Sequence, residues 1–379
     1  MIYLDNAATT PMHESVVARM QPYFTQNFGN PGSVHAAGRQ ALAAVMQSRA
    51  SVAENLGCKP REVVFTSGGT EANNQAVFSA AAYGAQTGRK RMVASAIEHP
   101  AVLRALDRCE QLGFQVNLVA PDAAGVVSAA AVEEALGDAS DVCLVSVMAA
   151  NNETGVVQPV AKIAREAHAA GALFHTDAVQ AAGHMPINVE ALDADFLSIS
   201  AHKFHGPKGV GALVCRVPKH VEPLVVGGGQ ERGLRAGTEN VAGIVGLAAA
   251  LEQACATLPE DEARVQNLRD TLQAKLEEIP GAQVVGGQAA RVAGILNMCF
   301  DELDHQTTLA LLDQRGICVS AGSACSSGAT GVSHVLSAMG VSDELAKTAL
   351  RFSLSVDTAL EDVEVAAAAM HEIARSLKR

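Results

Sequence analysis

The sequence predicts an α/β protein with a large domain, a mostly parallel sheet flanked by helices, followed by a smaller α+β domain. Three observations carry this. From about residue 40 to residue 250, short apolar runs bounded by turn residues alternate with helical patterns, the rhythm of an open parallel sheet. After about residue 255 that rhythm breaks. The length, 379 residues, is enough for two sizeable cores. The expected division is 12–255 for the large domain, with 1–11 and 256–379 forming the small one.

The strands come first. Runs at 63–66, 91–95, 115–119, 141–148, 172–177, 195–200 and 211–215 are short and apolar, as suits strands buried on both faces. Between them, Leu42, Val45, Met46, Val52, Ala53 and Leu56 form a helical stripe stopped by Gly57. Pro159 opens a helix that Gly171 ends. In the second part a charged helix over 261–278 leads to strands at 283–285, 294–300, 317–320 and 350–354. An amphipathic helix closes the chain, with Lys378 and Arg379 at the pole that favours cations.

Composition excludes several functions. Charged residues are 18% and hydrophobic residues 49%, a folded and soluble balance. A net charge of −12 with only 3% aromatics argues against nucleic acid and anionic lipid as stable partners. The start, MIYLDNAATTP, lacks a signal-peptide pattern. The apolar stretch 241–251 is bounded by Glu239 and Glu252, so no membrane span is expected and the cytoplasm is the expected location. Eight cysteines show no CxxC pair or zinc-type spacing, so no metal is expected. Most sit in apolar runs, such as Cys143 in DVCLVSV, and read as small core residues of a reducing compartment.

Four segments carry chemistry. In TSGGTE (66–71), two glycines join a strand to a helix starting near Thr70. Backbone can approach a phosphate there, where helix N–H groups point outward; a plain strand–helix turn is the other reading. In HTDAVQ (175–180), Asp177 ends an apolar strand and needs a positive or hydrogen-bonding partner. A protonated pyridine nitrogen would serve, with Gln180 near a ring substituent; helix capping is the alternative. In SAHKFHGPKG (200–209), Lys203 follows a buried strand. A lysine in apolar surroundings sheds its charge more easily and can form a Schiff base, with Ser200 and His202 as phosphate donors; a solvated loop lysine is the alternative. In SAGSACSSGATG (320–331), Cys325 alone among the cysteines lies among small polar residues that would leave it accessible for attack on a substrate.

With these segments in order, the chain closely resembles the cysteine desulfurases of the nitrogen-fixation and iron–sulfur-assembly type, in the class-V aminotransferase superfamily of fold type I. The resemblance spans essentially the full length. It rests on YLDNAATTP, FGNPGSVH, FTSGGTEANN, EHPAVL, NNETGVVQP, HTDAVQ, SAHKFHGPKGVG, GGGQERGLRAGTEN, SAGSACSSG and LRFSLS. It implies pyridoxal 5'-phosphate as cofactor and L-cysteine as substrate, which is converted to alanine. It also implies that Lys203 holds the cofactor, His99 stacks on its ring, Asp177 pairs with the ring nitrogen and Gln180 with the ring hydroxyl. Gly69, Thr70, Ser200 and His202 would hold the phosphate, joined by Thr238 from a neighbouring subunit of a homodimer. Asn152 and Arg351 would orient the substrate carboxylate. Cys325 would carry the sulfur as a persulfide to an acceptor such as an iron–sulfur scaffold protein. A selenocysteine lyase or another class-V aminotransferase reaction is the alternative on the same scaffold.

Overall fold

The computed structural model describes residues 1–322 and 332–377. Cys325, Lys378 and Arg379 lie outside the described residues. Among the described residues the strands are β1 (Ile2–Tyr3), β2 (Val63–Thr66), β3 (Arg91–Ser95), β4 (Gln115–Val119), β5 (Val142–Ser146), β6 (Leu173–Asp177), β7 (Phe196–Ser200), β8 (Gly211–Cys215), β9 (Ala282–Val284), β10 (Ile295–Phe300), β11 (Ile317–Cys318) and β12 (Ala349–Ser353).

The main sheet runs β2-β8-β7-β6-β5-β3-β4. The neighbours from β7 through β6, β5 and β3 to β4 are all parallel, while β8 is antiparallel to both β7 and β2. Five of these strands (β2, β5, β6, β7 and β8) are buried along their whole length, as apolar runs with helices on both faces require. Parallel order also places the carboxyl ends of β3, β5, β6 and β7 along one edge, where ligands of open α/β sheets bind.

Helix Ala36–Leu56 ends at Gly57, whose φ of 64° is left-handed and closes the last turn. The stripe expected on this helix is partly wrong. Val45, Val52, Ala53 and Leu56 are buried, but Leu42 and Met46 are exposed, and Ala41, Ala44 and Ser48 complete the inner face instead.

A second departure concerns Pro259. The sequence reads as an apolar segment followed by a separate charged helix; the structure has one helix, Val241–Glu277, running through the proline. Proline lacks the N–H for the bond to the carbonyl four residues back, a local loss that a long packed helix absorbs. By length and composition alone this helix could cross a membrane, but 61% of its apolar window is buried inside the protein, as in a core helix. It packs against helix Ala36–Leu56.

The later part of the chain builds a three-stranded antiparallel sheet, β12-β10-β9. Its core joins Leu4 with Val265, Leu272, Leu296, Phe352 and Met370. The N-terminal segment is tied here by β1 pairing with β11 and by Ser353, whose main-chain oxygen accepts from the Asn6 N–H at 3.2 Å and whose Oγ accepts from the Ala7 N–H at 2.9 Å. β12 therefore fixes residues 5–7, which reach back to the main sheet.

Candidate active site

A cavity of about 210 Å³ opens at the carboxyl ends of β5, β6 and β7. The local sequence explains the placement. Each strand is buried along its length, and the polar residues at its last position and in the turn that follows emerge at this edge. Lys203, Asp177, Gln180, His99, Ser200, His202, Gly69, Thr70, Asn152 and Arg351 all line the cavity.

Lys203 sits in a short turn after β7. Its Nζ donates to the carbonyl oxygens of Ala7 at 2.5 Å and Ala8 at 2.8 Å. Gln180 Nε2 donates to the same Ala7 oxygen at 2.9 Å. Asp177, the last residue of β6, is buried. Its Oδ1 accepts from the Val179 N–H at 2.9 Å and its Oδ2 from Asn73 Nδ2 at 2.6 Å.

His99 caps helix Pro100–Gln111, its Nδ1 accepting from the Ala101 N–H at 3.1 Å. A main-chain N–H can only donate, so the proton of the neutral ring is on Nε2. Burial pushes this imidazole's pKa down, opposed by the Asp177 carboxylate and assisted by Lys203. Burial likewise lowers His202, with help from Lys203 and Lys208, to about 4.

Behind His99 lies Glu98, a fully buried carboxyl whose pKa burial raises to about 8. Its Oε1 accepts from Ser95 Oγ at 2.5 Å and the Met148 N–H at 2.7 Å, and its Oε2 has no hydrogen-bond partner.

Arg351, on β12, is buried. Its Nη1 donates to the Asn152 carbonyl oxygen at 2.9 Å and its Nη2 to Asp5 Oδ1 at 2.7 Å. The adjoining Glu153 is buried; Ser333 Oγ donates to its Oε2 at 2.5 Å. Burial raises the pKa of this carboxyl, against the pull of Ser333, His334 and Arg351. Glu153 Oε2 also lies 2.8 Å from where a Cβ on Gly322 would stand, and His334 Nε2 meets the Glu98 carbonyl oxygen at 3.0 Å. Gly322, Ser333 and His334 flank the segment that contains Cys325, and both flanks contact the residues beside Asn152 and His99.

The helix Gly69–Thr87 begins at the cavity with no side-chain cap. Its first N–H groups are open to an anion, and its macrodipole favours one. A Cβ on Gly69 would meet Val179 Cγ2 at 2.7 Å, so a side chain here would force the helix start or Val179 to shift. Thr9, Ser67, Thr70, Ser200, His202 and Lys208 surround an adjoining recess. The donor set fits pyridoxal phosphate: an amine, a buried carboxylate for a ring nitrogen, an imidazole, and an anion seat at a helix start.

Thr238 does not join the cavity and is exposed. The sequence reasoning missed Asn73, Met148 and the Ala7–Ala8 carbonyls, which line the same space. Only Asn73 left a signal, a polar residue one turn beyond Gly69 on an otherwise apolar helix face. Cys109, Cys143, Cys215 and Cys299 are buried, and burial raises their thiols to about 11 or 12. Such thiols stay protonated and are poor nucleophiles.

Three comparisons bear on this site. The family model described as Aminotransferase class-V matches residues 2–365. A cysteine desulfurase of Rhodobacter capsulatus is 45% identical over 379 residues, covering 100% of this chain and 97% of the relative. Among solved structures, a NifS-like protein superposes with a TM-score of 0.92 at 37% identity, covering 98% of each chain. SspA in complex with cysteine gives 0.84 at 34% identity, covering 95% of this chain and 100% of that one.

Proposed function

This chain belongs to the class-V aminotransferase family, and from that premise we infer that it is a pyridoxal-phosphate-dependent cysteine desulfurase acting through the site described above. The observation that carries the reading is the convergence of Lys203, Asp177, His99 and Arg351 on one cavity. Lysine, carboxylate, imidazole and guanidinium are four of the groups the reaction needs, and β12 brings the last of them from a chain segment remote in sequence.

When bound, the cofactor supplies an electron sink joined to the substrate's amino group. Asp177, held by Asn73 and the Val179 N–H, would keep a ring nitrogen protonated. Gln180 would meet the ring hydroxyl. Gly69, Thr70, Ser200 and His202 would receive the phosphate, and Thr238 would contribute to that of a neighbouring subunit. Arg351 and Asn152 bind the substrate carboxylate and so fix which bond at Cα faces Lys203. Lys203 Nζ takes the Cα proton. His99, with its proton on Nε2, returns one.

The Cys325 thiolate then attacks the substrate sulfur. A sulfur–sulfur bond forms, the substrate carbon–sulfur bond breaks, and the carbon fragment takes up protons to leave as alanine. The contacts of Gly322, Ser333 and His334 with the rim of the site support this role for the segment between them. The persulfide would pass to a protein acceptor, such as an iron–sulfur scaffold, in the cytoplasm.

A homodimer is part of the same proposal. Phe28, Val34, Met46 and Val226 are large apolar side chains left exposed at 73%, 89%, 61% and 81%, surface that a partner subunit would cover. We also propose that residues 12–255 form the large domain, and 1–11 with 256–379 the small one; the separate core around Leu4 and Phe352 supports this.

The deciding experiment is mass spectrometry of the chain after incubation with cysteine. One added sulfur on Cys325 is expected. Cys325→Ala should keep the cofactor absorbance and form no persulfide; sulfur added elsewhere with alanine release unchanged would reject the role.

A further inference from the structure

Behind the Lys203 turn, on the side away from the substrate cavity, three residues far apart in sequence meet. His13 precedes helix Glu14–Met20, His205 follows the Lys203 turn, and Asp357 lies in the turn after β12. His13 Nε2 stands 3.5 Å from Asp357 Oδ2, and His205 Nδ1 stands 3.6 Å from the same oxygen. One ligand atom from each of the three residues lies within 4.8 Å of the others.

These separations are too long for hydrogen bonds, whose N···O distances run about 2.7–3.2 Å. They match the edge of a tetrahedron, about 3.4 Å when metal–ligand bonds are about 2.1 Å. His13 Nε2 is buried without a hydrogen-bond partner, which leaves that nitrogen available to a ligand. The two imidazoles stack with centroids 4.0 Å apart and planes 19° apart, so one ring must turn before both nitrogens can reach a single ion. Thr10 Oγ1 accepts from the His205 main-chain N–H at 2.8 Å, which fixes the backbone beneath that ring. A cavity of about 280 Å³ adjoins the trio and carries two further carboxylates, Asp261 and Glu262.

We propose that His13, His205 and Asp357 form a binding site for a divalent transition metal of the zinc class. Two imidazoles and one carboxylate select such an ion over magnesium or calcium, which prefer all-oxygen shells. His205 Nδ1 donates to the Pro11 carbonyl oxygen at 2.9 Å, so a metal at Nδ1 must break this hydrogen bond and leave the ring's proton on Nε2. A metal here would clamp the N-terminal segment, the Lys203 turn and the β12 turn to one another. No spacing in the sequence announces the site, because its ligands come from three separate segments.

The test uses the full chain loaded with its cofactor and with thiols kept reduced. It is dialysed against Zn²⁺, and metal per chain is counted. In parallel it is titrated with Co²⁺, and the visible absorption of tetrahedral cobalt is followed. The expected result is one metal per chain, with binding at least about tenfold weaker in His13→Gln and in Asp357→Asn while cofactor absorbance is unchanged. Three results overturn the proposal: no metal retained by the wild type, equal Zn²⁺ content in the wild type and the His13→Gln/Asp357→Asn double variant, or cobalt absorption dominated by thiolate charge transfer.

Discussion

Arg351 and Asp5 form an ion pair, Nη2 to Oδ1 at 2.7 Å, that joins β12 to the N-terminal segment inside the candidate substrate site. The same guanidinium holds the Asn152 carbonyl through Nη1. A planar fork can hold these two oxygens and still face a third partner; a lysine ammonium cannot reproduce that geometry.

Arg351→Lys should therefore raise the KM for cysteine about tenfold or more, since hydrogen bonds to charged groups contribute about 1.5–3 kcal/mol each. The kcat should change less, because the substrate carboxylate is bound alike before and during reaction. Steady-state alanine production measures both. An unchanged KM would leave Arg351 as a structural ion pair only.

Gly69→Ala tests the phosphate seat. The new methyl would stand 2.7 Å from Val179 Cγ2, so the helix start or Val179 must shift. Overpacking costs about 1–3 kcal/mol, which predicts cofactor affinity reduced about tenfold. Absorbance titration of the cofactor-free protein reads this directly, and unaltered affinity would detach Gly69 from the phosphate.

His99→Gln should retain cofactor binding yet lose the proton carried on Nε2. Removing a positioned acid–base group lowers kcat by about 10²–10⁴. If turnover falls less than about threefold while the absorbance is normal, the proton comes from elsewhere.

Glu98 gives a pH prediction. Burial pushes its carboxyl up to about 8, well above the ordinary glutamate value of about 4.3. Between those values the unfolded chain releases the proton while the native state keeps it, so stability declines as pH rises through that window. Glu98→Gln has no such proton, and its side-chain oxygen can still accept from Ser95 and Met148. Its urea midpoint relative to the wild type should climb from pH 5 to pH 8. Parallel pH profiles for the two proteins would show that Glu98 is ionised in the native state.

Much of this site was legible beforehand because strand ends are written locally. A short strand-like run that ends in an ionisable residue or leads straight to one, as Leu173–Asp177 does and as Phe196–Ser200 does before Lys203, says both that a strand is present and that a functional side chain emerges at its carboxyl edge. The unbroken helix through Pro259 was not legible, since a local rule marks that residue as a stop and only long-range packing overrides it. Leu42 and Met46 misled for the converse reason: apolar spacing does not say which of two adjacent faces the rest of the protein covers.

Sequence by itself determined the order of strands and helices, the chemical inventory, and the family, because each depends on residues near one another along the chain or on ordered motifs. Tertiary structure alone decided that Ala7 and Ala8 face Lys203, that Asp5 pairs with Arg351, and that His13, His205 and Asp357 meet. Those contacts join residues 152 to 346 positions apart. They exist only because β12 draws the N-terminus across the sheet edge, a consequence of packing that local composition does not encode.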